Sequence, residues 1–332
     1  MATLKIVIPV AGIGKRLRPH TLKTPKVLLK VAGKPIISYL LEELLKVGSA
    51  EFVFIVGHLG AEVERFVKEK YNIRAKFVYQ QEQLGLGHAV YLSKEFVKAG
   101  DEVLIVLGDT VFEFDLGKVV NSDNSIIGVK EVLNPERFGV VELKDNRVCN
   151  FVEKPDKFVS NLAIVGIYYI KESTALFQSL EELISAGVKT KGEFQLTDGL
   201  QALVEKGYEI GVFPVEGWFD CGKPETLLAA NRHLLKDHSN KVQIPDSLVT
   251  SPVAIEPNTS IRSSIIGPFA SIGKDCKITN AIIRDSIIYD GAVVSNSIIE
   301  TSIIGELEIV EGRCLTQNIQ KSRKVKNQQV IQ

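Results

Sequence analysis

Through about residue 235, short apolar runs rich in β-branched residues alternate with amphipathic stretches, the pattern of a parallel sheet covered by helices. Strands are predicted at Leu4–Pro9, 52–56, Ala75–Tyr79, 103–107 and 125–129. Between them, 35–47 carries Ile36, Ile37, Leu40, Leu41, Leu44 and Leu45 at helical spacing and stops at Gly48, a residue favoured just past a helix end. The stretches 61–70 and 87–98 read as helices in the same way. Beyond Asp109 the rhythm changes. Strand-like 138–143, 147–152 and 163–170, separated by polar turns, predict an antiparallel insertion over one sheet edge, placed to wall a substrate.

From Ile255 onward the period shifts again. Branched aliphatics fall at 255, 261, 266, 272, 278, 283, 288, 294, 299, 304 and 309, with gaps of five or six. A triplet Ser/Ala-Ile-Ile recurs at 264–266, 281–283, 286–288, 297–299 and 302–304, and returns after 16 or 17 residues, as three sides of a triangular coil require. Each coil buries one aliphatic per side only when stacked on its neighbours. The segment resembles the hexapeptide-repeat left-handed parallel β-helix. The division is therefore a first domain over 1–236, a linker over 236–247 where polar residues and Pro cluster, a β-helix over 248–316 and a polar tail over 317–332.

The chain has 332 residues, with 45% hydrophobic and 24% charged, the balance of a globular protein able to bury a full core. Forty Lys+Arg against forty Asp+Glu leave no net charge, so no overall basic field is available to hold a nucleic-acid backbone; any bound anion must meet local donors. The four cysteines, Cys149, Cys221, Cys276 and Cys314, lie far apart with no zinc-like spacing, which fits a reducing compartment. The opening Met-Ala-Thr-Leu-Lys-Ile-Val-Ile-Pro-Val is too short to span a membrane and lacks signal-peptide features, so a cytoplasmic location with no membrane partner is expected.

The first strand leads into Ala11-Gly12-Ile13-Gly14-Lys15-Arg16-Leu17-Arg18-Pro19, then Thr21, Pro25 and Lys26. Glycines at 12 and 14 let the backbone bend sharply and turn N–H groups toward an anion. Arg16 and Lys26 add fixed cationic donors where charge accumulates on phosphates during a displacement. The dinucleotide fingerprint fails, because its third glycine would fall on Leu17.

The longer string from Gly12 to Lys26, Gly-x-Gly-x-Arg-Leu-x-Pro-x-Thr-x-x-x-Pro-Lys, resembles the signature of the sugar-1-phosphate nucleotidylyltransferases. In family order follow Gln80-Gln81-Glu82-Gln83-Leu84-Gly85-Leu86-Gly87-His88-Ala89, similar to a base-reading segment, and Leu107-Gly108-Asp109, similar to a strand-end metal aspartate. Phe138-Gly139-Val140, Glu153-Lys154-Pro155, Asn161 and Gly166-Ile167-Tyr168 resemble the sugar wall, and Trp218-Phe219-Asp220-Cys221-Gly222-Lys223-Pro224-Glu225 the segment with a second metal aspartate. The resemblance covers about residues 3–235 and implies a Rossmann-like α/β nucleotidyltransferase domain with a mostly parallel sheet.

It also implies a reaction. The phosphate of a sugar 1-phosphate attacks the α-phosphorus of a nucleoside triphosphate and releases pyrophosphate, so neutralisation and in-line positioning matter more than an activated side chain. By resemblance, Arg16 holds the leaving pyrophosphate, Lys26 the α-phosphate region and Lys154 the sugar phosphate. Ala11, Gly12, Gly14, Gln80, Gly85, Gly108 and Asp109 bind the nucleotide, with the Gln80 amide facing the imide edge of uracil or thymine. Gly139, Glu153 and Asn161 contact a hexose, and Asp109 and Asp220 are oxygen ligands to Mg²⁺. Lys191 lies where relatives vary and is given no role; His88, opening a helix, reads as structural, and Cys221 lacks a histidine partner for nucleophilic chemistry.

All five histidines precede the repeat, which argues against acyl transfer there and leaves packing, homo-oligomer assembly or regulation. A mannose-1-phosphate guanylyltransferase and a non-catalytic regulatory subunit of the same plan are the alternatives. Retention of Arg16, Lys26, Asp109 and Asp220 favours an active enzyme, and the segments at 80–89 and 220–225 favour thymidylyl or uridylyl transfer to glucose 1-phosphate.

Overall fold

The computed structural model describes residues 3–236, 243–312 and 314–315. The expected tail at 317–332, the last residue of the expected β-helix and the 237–242 part of the linker lie outside the described residues. Contacts divide the described residues into two compact units, one formed by 3–13, 25–27 and 37–218, the other by 14–24, 28–36 and the described residues from 219 onward.

Ahead of the repeat the strands are β1 (Leu4–Pro9), β2 (Lys30–Val31), β3 (Lys34–Pro35), β4 (Ala50–Val56), β5 (Ala75–Tyr79), β6 (Glu102–Val106), β7 (Thr110–Glu113), β8 (Ser125–Glu131), β9 (Gly139–Lys144), β10 (Arg147–Glu153), β11 (Leu162–Ile170), β12 (Ile210–Pro214) and β13 (Gly217–Asp220). The helices are α1 (Ile36–Leu44), α2 (Gly60–Lys70), α3 (Leu86–Tyr91), α4 (Leu116–Val120), α5 (Ser173–Ser185), α6 (Leu196–Glu205) and α7 (Pro224–Leu235). The first unit is built on a nine-stranded sheet in the order β5-β4-β1-β6-β11-β8-β12-β10-β9. From β5 to β6 all pairings are parallel, because each crossover passes through helical segments. Ile6, Val7 and Ile8 and the run Val103–Val106 are fully buried, as near-continuous apolar strands covered on both faces should be.

Beyond β6 the sheet is mixed, and here the expectation of an insertion laid over the edge needs correcting. Strand β11 lies inside the same sheet, antiparallel to both β6 and β8, and the β9–β10 hairpin extends that sheet. Eight of the nine residues of β11 are buried, a pattern that only a central strand satisfies. The helix expected at 87–98 also divides. It is α-helical over Leu86–Tyr91 and 3₁₀ over Lys94–Phe96, where the buried Ser93 hydroxyl donates to the Val90 carbonyl at 2.6 Å and competes with the helical ladder.

In the second unit, three parallel ladders of five, four and four short strands form the repeat. Their registers align Ile266 with Ile283 and Ile299, Ile272 with Ile288 and Ile304, and Ile261 with Ile278, Val294 and Val310. These side chains make one continuous core. One expected position is wrong: Ile309 is 59% exposed and Val310 is the buried residue of that strand, so the last gap is six. In four of the five triplets the small residue is serine, whose hydroxyl serves the corner. Ser264, Ser286, Ser297 and Ser302 each donate to the carbonyl two residues earlier at 2.7 Å. Ser264 also accepts from the N–H of Ala281 in the next coil, and Ser286 from that of Ser302, both at 3.1 Å. Each triplet is preceded by a left-handed turn residue, Ser263, Asn280, Asp285, Asn296 or Thr301, mostly types whose short polar side chains tolerate that conformation.

Among the described residues no helix is long and apolar enough to cross a membrane. Among the described residues Cys149, Cys221 and Cys276 form no disulfide. Inward and outward positions of one ladder differ sharply: Ile283 is fully buried and Ile265 is 40% exposed. Ile283→Ala is expected to cost about 2–5 kcal/mol of stability and Ile265→Ala under about 1 kcal/mol, read from urea unfolding midpoints.

Candidate active site

The turn after β1 is anchored before it opens. Val10 N–H donates to the Ile55 carbonyl at 2.8 Å, and the buried Ala11 gives its carbonyl to Gln83 Nε2 at 2.9 Å. Gly12 is exposed, and a Cβ built there would meet nothing within 4 Å, so its backbone faces open space. Gly14 adopts the left-handed conformation (φ 67°, ψ 38°), which admits glycine without strain. Its carbonyl takes the Leu17 N–H and the Thr21 hydroxyl, each at 2.9 Å.

Lys26 is 8% exposed and its ammonium stands 2.6 Å from Asp109 Oδ2. Asp109 comes just after β6, directly following Gly108, where a Cβ would fall 2.4 Å from Val10 Cγ1; glycine there lets the two strand ends close up. Burial raises the Asp109 pKa, but the charge and hydrogen bond of Lys26, with a bond from Thr110, outweigh it and hold the carboxyl below its ordinary range. The result is an ionised carboxylate with 37% of its side chain still accessible, paired with a largely desolvated ammonium.

Gln80 is buried, and its Nε2 is held by the Gly85 carbonyl at 3.2 Å and His88 Nδ1 at 3.0 Å. That contact makes Nδ1 the acceptor, and burial keeps the His88 pKa below its ordinary value against the opposing charge of Glu82. His88 thus bonds the amide of Gln80, the residue expected to read the base. Gly85 (φ +110°) has its missing Cβ aimed at the Phe194 backbone, 2.5 Å from the carbonyl oxygen, so close packing on the 193–194 segment requires it.

The expected sugar wall is compact. Gly139 lies against Glu153, a Cβ there reaching 3.0 Å from Oε2, and Glu153 accepts from Thr197 Oγ1 at 3.2 Å. Lys154 pairs with Glu153 Oε1 at 2.9 Å, the surface pairing that competes with a phosphate role, and 47% of its side chain is exposed. The carbonyl of exposed Asn161 accepts from Val132 N–H at 2.9 Å. Phe138 and Trp218 meet edge to face at 4.8 Å, with the Arg137 guanidinium over the Phe138 ring. Lys191 is tied to Asp156 at 2.6 Å.

Arg16 and Asp220 belong to the second unit and converge at one glycine. A Cβ on Gly222 would stand 2.7 Å from Arg16 Nη2 and 2.8 Å from Asp220 Oδ1. The guanidinium and the carboxylate therefore flank the same point. Among the described residues no group of three or more His, Cys, Asp and Glu is gathered to hold a metal ion.

The family profile described as Nucleotidyl transferase matches residues 5–237. The chain belongs to the nucleotidyl transferase family. It is 32% identical over 320 residues to the low-salt glycan biosynthesis nucleotidyltransferase Agl11 of Haloferax volcanii, covering 86% of this chain and 87% of that one. It is 38% identical over 244 residues to the bifunctional protein GlmU of Methanococcus vannielii, covering 71% of this chain and 56% of that one. With the glucose-1-phosphate thymidylyltransferase of Streptomyces antibioticus the identity is 29% over 315 residues, 86% and 87% of the two chains. A solved UDP-glucose pyrophosphorylase complexed with UDP-glucose superposes with a TM-score of 0.59 at 25% identity, over 71% of this chain and 99% of that one.

Around Glu153 of this nucleotidyl transferase two further groups have shifted pKa values, Tyr168 within the expected sugar wall and Asp198, which escaped the residue reading. Tyr168 is buried beside Glu153, and burial together with that charge raises its pKa. Asp198 has its pKa raised by burial and by Glu153 against a hydrogen bond with Thr190. A Thr-Asp pair at the start of α6 was the available signal, hidden because its distance from Glu153 in sequence is large. Gly222 was visible only as part of a motif. Gly222→Ala is expected to push Arg16 and Asp220 apart and lower kcat on the order of tenfold to a hundredfold, with an unchanged urea midpoint; equal kcat in steady-state assays removes the assigned role.

Proposed function

We propose that the chain transfers a thymidylyl or uridylyl group from dTTP or UTP to glucose 1-phosphate, releasing pyrophosphate. The observation that carries this reading is the Lys26–Asp109 pair at a strand end beside the open Gly12 turn. A buried ammonium and an ionised carboxylate neutralise each other until a polyanion and its counter-ion displace the contact. The relatives named for glucose-1-phosphate thymidylyl transfer and the superposed UDP-glucose pyrophosphorylase support the choice of substrates.

In this reading the exposed backbone at Gly12 and the bend at Gly14 receive the triphosphate, with Gln80, kept in place by His88 and Gly85, pairing with the base. Lys26 stabilises charge at the α-phosphate as the sugar phosphate oxygen bonds to phosphorus and the bond to the β-phosphate oxygen breaks. Arg16 meets the departing pyrophosphate. Glu153, the Gly139 backbone and Asn161 hold hexose hydroxyls, and Lys154 leaves Glu153 for the sugar phosphate. Asp109 and Asp220 would each offer a carboxylate to Mg²⁺, which prefers one or two carboxylates plus phosphate oxygens to an all-protein cage. When bound, the ion neutralises phosphate charge and templates the in-line geometry.

The same reading takes 1–236 as the catalytic domain, 248–316 as a left-handed β-helix and a cytoplasmic location, where nucleoside triphosphates are held. It also takes the chain as a homo-oligomer. Leu248, Ile265 and Ile298, 61%, 40% and 40% exposed, stand in register with Ile282 on one ladder and leave an aliphatic stripe that a second copy would cover.

Crossing five nucleoside triphosphates with glucose, galactose, mannose and N-acetylglucosamine 1-phosphates, with pyrophosphate as the readout, is expected to give the highest kcat/KM for dTTP or UTP with glucose 1-phosphate; a GTP and mannose maximum rejects the assignment. Asp109→Asn and Asp220→Asn are each expected to abolish Mg²⁺-dependent release while leaving the fold intact by circular dichroism. Light scattering at micromolar concentration should give a mass above one chain, and a clean monomer refutes the assembly.

A further inference from the structure

Glu153, which the proposed reaction gives to the hexose, is held by two neighbours of different kind. Lys154 meets Oε1 at 2.9 Å from a side chain that is 47% exposed, whereas Thr197, buried at the start of α6, donates its hydroxyl to Oε2 at 3.2 Å. When Lys154 turns to the sugar phosphate, the Thr197 hydroxyl remains as a donor on a carboxylate whose side chain is only 10% exposed. An ionised carboxylate can accept but not donate, and one so far from solvent needs a fixed donor.

The place of that hydroxyl is set by the chain around it. Thr197 stands in the first turn of α6, and its branched Cβ restricts rotation about χ1. A Cβ built at Gly139 would fall 3.1 Å from Thr197 Cγ2 and 3.0 Å from Glu153 Oε2, so the missing side chain leaves room for both partners. The segment leading into α6 is pinned to the expected base-reading turn: Phe194 N–H donates to the Leu84 carbonyl and Gly87 N–H to the Phe194 carbonyl, each at 2.8 Å. Ahead of it, backbone bonds between Thr190 and Glu193 at 3.0 and 3.2 Å close a tight turn, whose Lys191 reaches Asp156 at 2.6 Å. Thr197 therefore projects from backbone anchored before and after residue 194.

The next residue adds a demand. Asp198 Oδ2 is buried with no hydrogen-bond partner among the described residues, and burial together with the charge of Glu153 raises the Asp198 pKa against a bond with Thr190. A second carboxyl this close repels Glu153, so a donor on the far oxygen of Lys154's partner steadies it where that repulsion would turn it away.

We propose that Thr197 is a positioning residue that sets the affinity for the sugar 1-phosphate by holding the Glu153 carboxylate toward the hexose hydroxyls. The inference rests on the sugar role proposed for Glu153. Thr197 acts through that carboxylate and not on the reacting phosphates.

The test compares wild type with Thr197→Val, which removes the donor and keeps the shape, Thr197→Ser, which restores the donor, and Glu153→Ala. Steady-state kinetics with glucose 1-phosphate and dTTP or UTP give both KM values and kcat, calorimetry gives the Kd for glucose 1-phosphate, and urea midpoints establish folding. Thr197→Val is expected to raise the KM and Kd for glucose 1-phosphate about tenfold or more, with kcat and the nucleotide KM within about threefold of wild type, the signature of binding lost equally from ground and transition states. Thr197→Ser is expected to stay within about threefold of wild type throughout, and Glu153→Ala to raise the sugar KM at least as much as Thr197→Val does. Should Thr197→Val fail to fold, Thr197→Ala takes its place. Where Glu153→Ala raises the sugar KM, the role of Thr197 is overturned by an unchanged sugar KM in Thr197→Val, by an equal rise in the nucleotide KM, or by Thr197→Ser being as impaired as Thr197→Val. An unchanged sugar KM in Glu153→Ala instead removes the sugar role of Glu153, and the inference with it.

Discussion

Two polyanions cannot be brought together in a low-dielectric pocket without fixed positive charge, and a fixed positive charge cannot sit buried without a partner. The Lys26–Asp109 contact at 2.6 Å meets both constraints. It keeps a desolvated ammonium beside an open glycine turn, and it keeps the aspartate ionised. Much of the first unit can be understood as support for this pair. The parallel run β5-β4-β1-β6 places the ends of β1 and β6 side by side, and the lack of a side chain at Gly108 lets those ends approach. A lone buried charge would be a cost to the fold, and in the proposed reaction the ligand would take the place of the partner.

The second unit solves a different problem. A strand of two or three residues cannot bury its own aliphatic, so stability comes from stacking, with one inward residue per side and hydroxyls closing the corners. Serine hydroxyls bonded to carbonyls two residues back explain why serine stands ahead of four of the five Ile-Ile pairs, with Ala281 ahead of the other. The same unit contains 14–24, with Arg16, and 219–222, with Asp220. Residues proposed for the chemistry and the stacked coil therefore fall in one unit.

The α/β alternation and the coil were legible because hydrophobic period is a direct consequence of burial on one face. The strands Leu4–Pro9 and Ala75–Tyr79 are found with the boundaries read from the pattern. Sheet order was not legible: nothing local distinguishes β11 as a central strand from an edge strand until its neighbours are known. Position 309 misled because Ile309 and Val310 are both branched aliphatics, and only the corner geometry decides which points inward. The signature string spans the whole turn from Gly12 to Lys26, whereas contacts that depend on space did not show. Gly222 matters for what a side chain there would strike, and Asp198 for its nearness to Glu153, neither of which leaves a mark in spacing.

The central claim is that Lys26 and Asp109 hold each other only in the absence of substrate. A crystal structure with Mg²⁺ and a non-hydrolysable dTTP or UTP analogue tests it most directly. The account expects Lys26 Nζ to have left Asp109 for a phosphate oxygen of the nucleotide. A nucleotide bound elsewhere, with the Lys26–Asp109 contact still closed, would contradict it.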